Sequence, residues 1–113
     1  MFMKKQIITI DDVVKLDLRA GYVIECIEVI GSEKLLEQTV NLGPDYGTVT
    51  ILSGIKPYYS ASYLKGKTFV YIANLTPRKM MGKLSCGMIL AADGVKKPKL
   101  FRLTGVKPGS EVK

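Results

Sequence analysis

Apolar and polar positions alternate through much of this chain with the two-residue period of a β-strand, and the breaks in that rhythm mark its elements. Asp17 to Ile30 is a long β-rich run, with Gly21 in its middle suggesting a bulge or sharp bend of the kind small barrels need. Gly31-Ser32 makes a turn, and Leu35 to Leu42 a second strand. After the Gly43–Gly47 loop, Thr48 to Leu52 alternates cleanly as a third. Lys67 to Asn74 and Lys83 to Ala92 predict the fourth and fifth. Leu100 to Leu103 reads as a short strand before the turn residues Gly105 and Pro108-Gly109.

Two segments depart from this period. Thr9 to Leu16 predicts a short helix, with Thr9 as its cap and Asp11 and Asp12 at the positive end of its dipole. Between the third and fourth strands, Ser60 is placed to cap a single helical turn that Gly66 ends. Five strands with a helical turn between the third and fourth predict an all-β fold, the five-stranded OB-fold barrel, carrying an additional short N-terminal helix. An SH3-like barrel has a similar strand count without a helix at that place. The length of 113 residues fits one domain, 1–113.

Charge changes the picture. The chain carries a net +7, from 17 Lys and Arg against 10 Asp and Glu. Thr76 to Lys107 holds eight of the basic residues and only Asp93 among the acids, so that third of the chain carries the whole excess. So local an imbalance on a folded domain points to a phosphate-rich partner, most simply nucleic acid.

Other chemistries find little support. There is no His, the usual acid–base catalyst at neutral pH, and no nucleophile elbow or phosphate-binding glycine loop, so no catalytic residues, no cofactor and no enzyme activity are expected. With no His and no paired cysteines, no metal site is expected either. Cys26 and Cys86 fall in apolar strand-like runs and read as small buried hydrophobes of a reducing compartment. No run approaches the ~18 apolar residues of a membrane span, Met1–Ile7 has no apolar stretch of signal-peptide length, and the expected location is the cytoplasm.

The candidate binding residues cluster around a Pro- and Gly-marked turn. Arg78, Lys79 and Lys83 lie within it, Asn74 precedes it, and Ser85 and Met88 follow it. If the fourth and fifth strands pair through the 76–83 turn, these residues gather at one end of the barrel, where Lys34 in the turn after the first strand joins them. Lys and Arg bring charge to phosphates, Asn and Ser reach sugar or base edges, and Met offers a soft apolar surface to a base. Each also has a plainer reading: Met88 as core, Asn74 as a turn hydrogen-bonder, Ser85 as a strand-face hydroxyl. Tyr58, Tyr59 and Tyr63 either stack on bases or plug the barrel's end.

These residues carry a resemblance. Asp17-Leu-Arg-Ala-Gly21, Gly31-Ser-Glu-Lys-Leu-Leu36, Leu52-Ser-Gly-Ile-Lys-Pro-Tyr-Tyr59, Leu64-Lys-Gly-Lys67 and Ala73 to Ala92 together resemble the EMAP-II-like tRNA-binding domain family. The gapless Asn-Leu-x-Pro-Arg-Lys-x-x-Gly-x-x-Ser-x-Gly-Met pattern from Asn74 to Met88 is the most specific part, and the likeness covers about residues 9 to 112. The resemblance implies an OB-fold that binds tRNA by shape, with Lys34, Asn74, Arg78, Lys79, Ser85 and Met88 as contacts and Lys83 beside them. It implies a homodimer, with the N-terminal helix and the extension from about residue 93 as candidate interface. It also implies either a free tRNA-binding factor or a partner of methionyl-tRNA synthetase. The alternative within the same resemblance is a CsaA-like export chaperone that binds unfolded peptides. Gly31-Ser-Glu33, where many synthetase-fused members carry His-Pro-x-Ala-Asp, is similar to the stand-alone members.

Overall fold

The computed structural model describes residues 3–113. Met1 and Phe2, part of the amino-terminal stretch read above, lie outside the described residues. A curled antiparallel sheet forms the body. β1 (Leu18–Glu28) lies at its centre, β2 (Leu36–Asn41) and β3 (Thr48–Ser53) follow on one side, and β4 (Thr68–Ile72) lies on the other. The helices fall where expected. α1 is Ile10–Val14 with Thr9 at its N-cap, and α2 is Ala61–Leu64 with the Ser60 hydroxyl accepting from the Tyr63 amide.

The fifth strand is broken where one was expected. Arg78–Met80 (β5) pairs with Lys83–Ser85 (β6) in a hairpin of its own. Met88–Ile89 (β7) then pairs with β4, and Ala91–Ala92 (β8) pairs with Lys99–Leu100 (β9). Arg102–Leu103 (β10) covers the outer edge of β4. The fourth and fifth strands thus meet through β7, and Arg78–Ser85 is a separate two-stranded ribbon. Its two-residue loop, Met81-Gly82, has φ of 51° and 78°. Positive φ at both positions is what a tight hairpin turn matching the strand twist demands, and Gly82 supplies one without strain. Met81 hides the signal, because Asn or Gly is usual there.

The free edge of β3 is tied to the chain that follows the ribbon. The Cys86 amide donates to the Thr50 carbonyl at 2.8 Å, and the Leu52 amide donates to the Ser85 hydroxyl at 3.0 Å. These bonds satisfy edge groups and curl the sheet into an OB-like half-barrel.

Val23, Leu36, Val40, Ile51, Leu64, Phe69 and Tyr71 fill the core. β2 keeps strict alternation of buried and half-buried residues, whereas Ile51, Leu52 and Ser53 of β3 are all buried. The clean alternation expected there fails because β3 is covered on both faces. Ile51 packs in the main core and Leu52 against the ribbon. Gly21 also has a different role from the one expected. The register shift in β1 lies between Val23 and Glu25, while a Cβ at Gly21 would come within 2.5 Å of the Tyr71 ring and 2.6 Å of Val40. Gly21 therefore permits close packing.

The core's polar groups are satisfied. The Tyr71 hydroxyl donates to Gln38 Oε1 at 2.6 Å, and Gln38 Nε2 donates to the Ser53 hydroxyl at 2.7 Å. Burial pushes the Tyr71 phenol well above its ordinary pKa and keeps it a neutral donor. Cys26 is buried and free, its thiol pushed up to about 11 by burial. Cys86 is also free but half-buried, in the link between β6 and β7 and not in a strand.

A polar cluster seals the carboxy-terminal end. The Arg19 guanidinium donates to both carboxylate oxygens of Asp17, to Asp45 and to the Gly109 carbonyl, while the Tyr46 hydroxyl donates to Asp17. Backbone bonds between Ala20 and Gly109, Ala20 and Ser110, and Leu18 and Val112 lay the tail along β1. Hydrogen bonds from Arg19 and then Tyr46 hold the Asp17 carboxyl below its ordinary pKa.

Two outcomes follow. Tyr71→Phe strands the buried Gln38 carbonyl and is expected to cost about 1–3 kcal/mol in urea unfolding at pH 7. Asp17, with a lowered folded-state pKa, contributes stability that is complete above its unfolded value and lost as pH falls through the folded one. The stability gap between wild type and Asp17→Asn is therefore expected to be constant above the ordinary carboxylate range and to close as pH falls through and below it, in urea melts across pH.

Candidate nucleic-acid interface

Met80 anchors the ribbon's first strand, while Ser85 bonds its second strand to β3. Met80 is half-buried against a second apolar cluster of Val29, Leu35 and Leu52, which lies under the β1–β2 turn and the end of β3. The Met81 side chain reaches to within 3.7 Å of a Cβ built at Gly31, and Lys83 pairs with Glu37 of β2. The ribbon and the β1–β2 turn therefore lean on each other, as the topology argument required.

That turn is itself shaped by its sequence. The Ser32 hydroxyl accepts from the amides of Lys34 and Leu35 at 3.2 and 3.1 Å, a local hydrogen-bonding habit that suits Ser to turns. The Lys34 carbonyl accepts from the Lys56 amide at 3.1 Å, and Lys56 Nζ reaches the Ser32 carbonyl at 2.9 Å. Lys34 is left exposed on a fixed backbone.

Arg78 and Lys79 are exposed on β5 and point to opposite faces of the ribbon, as neighbours on a strand must. Among the described residues, neither they nor Lys34 form an ion pair. Lys83 differs, since Glu37 already balances its charge. Met88, exposed on β7, stands beside Ile72 of β4. The ribbon and the β1–β2 turn thus carry three exposed cations free of ion pairs among the described residues, and β7 carries an exposed thioether.

Two of the expected contacts are engaged in hydrogen bonds within the fold, Ser85 buried and Asn74 exposed. Ser85 is only 4% exposed, and its hydroxyl accepts from Leu52 and donates to the Gly87 carbonyl at 3.4 Å. Asn74 accepts from the Asp17 amide at 3.0 Å and donates to the Lys15 carbonyl at 2.7 Å. Its amide fastens the end of α1 to the end of β4. These two side chains set the frame from which the cations project.

Two further basic residues of the 76–107 third belong to another surface. Lys97 and Lys99 lie beside α2, where Lys97 Nζ sits 4.4 Å from the centre of the Tyr59 ring. Sequence reasoning counted that charge and could not divide it. A second feature it missed is an apolar groove of about 600 Å³ along α1, lined by Ile10, Val13, Val14, Leu16 and Val112. Among the described residues, no group of three or more metal-ligating side chains occurs, and no helix is long and apolar enough to cross a membrane.

Residues 18–111 match a family described as "Putative tRNA binding domain". Methionine–tRNA ligase of Paraburkholderia xenovorans is 46% identical over 113 residues, which is 95% of this chain and 16% of that protein. The chain therefore spans about one sixth of that relative's length. Among solved structures, a MetRS related protein from Pyrococcus horikoshii superposes with a TM-score of 0.89 at 27% identity, over 96% of this chain and all of that one. A CsaA chaperone protein from Picrophilus torridus has a TM-score of 0.87 at 23% identity, over 95% of this chain and 100% of that one, a likeness of fold.

Ser85→Ala removes the acceptor from a buried Leu52 amide. The expected loss is about 1–3 kcal/mol in chemical denaturation, against less than 0.5 kcal/mol for Lys79→Ala on the exposed ribbon.

Proposed function

We propose, from the premise that this chain belongs to the tRNA-binding domain family, that it grips the phosphates of folded tRNA on the rim built by Lys34, Arg78 and Lys79. The observation that supports this reading is the packing of Met80 against the cluster that includes Leu35, which ties the strand carrying Arg78 and Lys79 to the turn carrying Lys34. Lys83 and Met88 are included in the proposed contact surface, and Asn74 and Ser85 hold the strands behind it. Recognition is by shape and backbone. A folded RNA displays phosphates and 2′-hydroxyls at fixed spacings, and rigidly mounted cations read that spacing without reading bases. The chain acts in the cytoplasm as a non-catalytic module, either as a free tRNA-binding factor or in trans with a methionyl-tRNA synthetase. The latter role is supported by the ligase relative, in which a similar stretch is part of a much longer chain.

The same reading includes a homodimer. α1 has no buried residue, and Ile10 and Val14 are 72% and 74% exposed beside the apolar groove. A second copy laying its own α1 and tail against this face removes that surface from water. The CsaA-like reading draws on this same groove, which would hold an unfolded peptide in place of a second copy. The excess charge near the ribbon favours RNA over a peptide of arbitrary sequence.

Gel shifts with tRNA transcript across a salt series test the rim. Arg78→Ala and Lys79→Ala are each expected to weaken binding several-fold and to reduce the salt slope by about 1, the signature of one lost phosphate contact. Unchanged affinity in both variants contradicts the assignment. Sedimentation is expected to give twice 12.4 kDa for the wild type and 12.4 kDa for Ile10→Lys/Val14→Lys.

A further inference from the structure

The structure has a second cationic site, and its chemistry differs from that of the rim. Tyr58, Tyr59 and Tyr63 of the α2 segment line a solvent-open concavity of about 420 Å³, together with Lys97 and Lys99. The rings of Tyr59 and Tyr63 stack with centroids 5.3 Å apart and planes 27° from parallel. The Tyr59 hydroxyl donates to the Pro98 carbonyl at 2.8 Å, fixing the lysine-bearing loop to the aromatic wall. No acidic residue lines the site, and neither Lys97 nor Lys99 takes part in an ion pair among the described residues.

A plug for the barrel's end would bury its aromatic rings. Tyr59 does this in part, packing against the core. Tyr58 and Tyr63 do not, remaining 45% and 40% exposed at the mouth of the concavity. The Tyr63 ring is packed by Tyr59 and has Lys67 Nζ 4.4 Å from its centre, whereas the Tyr58 ring has no such partner among the described residues. The Tyr58 face beside unpaired lysines is complementary to a nucleobase followed by its phosphate. The base stacks, and the phosphate meets the ammonium groups. A duplex offers no free base face, so the ligand is an unpaired nucleotide.

The geometry points to a stacking subsite for one unpaired nucleotide of the bound RNA, continuous with the phosphate rim; this rests on the tRNA-binding reading above. Continuity comes from the backbone. The Lys56 amide is bonded to the Lys34 carbonyl at 3.1 Å. Tyr58 follows two residues later, at most ~7.6 Å along the Cα path. An RNA whose phosphates contact Lys34 can therefore deliver a neighbouring unstacked nucleotide to Tyr58. The rim and the pocket divide the labour: charge at one, a π-face at the other. This arrangement also accounts for the placing of Lys97 and Lys99 away from the ribbon.

Tyrosine fluorescence reads the pocket, because the chain contains no Trp. An unstructured RNA tetranucleotide is expected to quench emission from the wild type and from Arg78→Ala/Lys79→Ala, but not from Tyr58→Leu/Tyr63→Leu. Affinity for tRNA transcript is expected to fall about 10-fold in Tyr58→Leu/Tyr63→Leu, with the salt slope unchanged. Lys99→Glu alters no ring packing and is expected to weaken tRNA binding at least 3-fold, which keeps the test valid should the Tyr variant fail to fold. Full tRNA affinity in Lys99→Glu and in folded Tyr58→Leu/Tyr63→Leu overturns the subsite, even if AMP alone quenches the tyrosines. Full tRNA affinity in Arg78→Ala/Lys79→Ala counts instead against the rim, while tetranucleotide quenching leaves the pocket standing.

Discussion

The contact of Met80 with Val29, Leu35 and Leu52 is the joint on which the binding surface depends. A two-stranded ribbon is barely stable by itself in water. Burying half of one thioether side chain contributes on the order of 1 kcal/mol, to which the Ser85 bond to Leu52 and the Lys83–Glu37 pair add. Leu35 belongs to the turn that presents Lys34, and Met80 belongs to the strand that presents Arg78 and Lys79. One small cluster therefore fixes the relative positions of cations that are more than forty residues apart in sequence.

The polar residues around this joint divide into those that hold and those that reach. Ser85 and Asn74 spend their hydrogen-bonding capacity on the fold, one on the edge of β3 and the other on α1. Lys34, Arg78 and Lys79 spend none of theirs on carboxylates. Preorganised charge of this kind needs no rearrangement when an anion arrives, and the cost of ordering is met when the protein folds.

Much of the fold was legible in the sequence, because the strands β1 to β4 and the capped helices obey local rules: a two-residue period, Thr9 and Ser60 as caps, and Gly66 as a stop. What local rules could not reveal depends on distant residues. Met81-Gly82 lacks the usual hairpin signature, so β5 reads as part of a turn and β6 as the start of the fifth strand. Gly21 reads as a bend until Tyr71 is found packed against it. The Arg19 cluster joins Asp17, Asp45, Gly109 and Glu111 from three separate stretches and leaves no periodic trace. At the candidate site, charge and spacing identified the cations of the ribbon. The inward turn of Ser85 required knowing that β3 has a free edge there. The division of the basic third into a ribbon group and an α2 group required the path of the chain after β7.

The barrel carries a cationic ribbon, an aromatic concavity beside α2 and an apolar groove along α1. The proposed function turns on tRNA being held by Lys34, Arg78 and Lys79. The most direct measurement is the perturbation of backbone amide resonances on adding tRNA transcript at low salt. Shifts and broadening concentrated at Lys34 and from Arg78 to Lys83, and fading as salt is raised, are what the account predicts. Perturbations centred on α1 and the groove beside it, with Lys34, Arg78 and Lys79 unmoved, would contradict it.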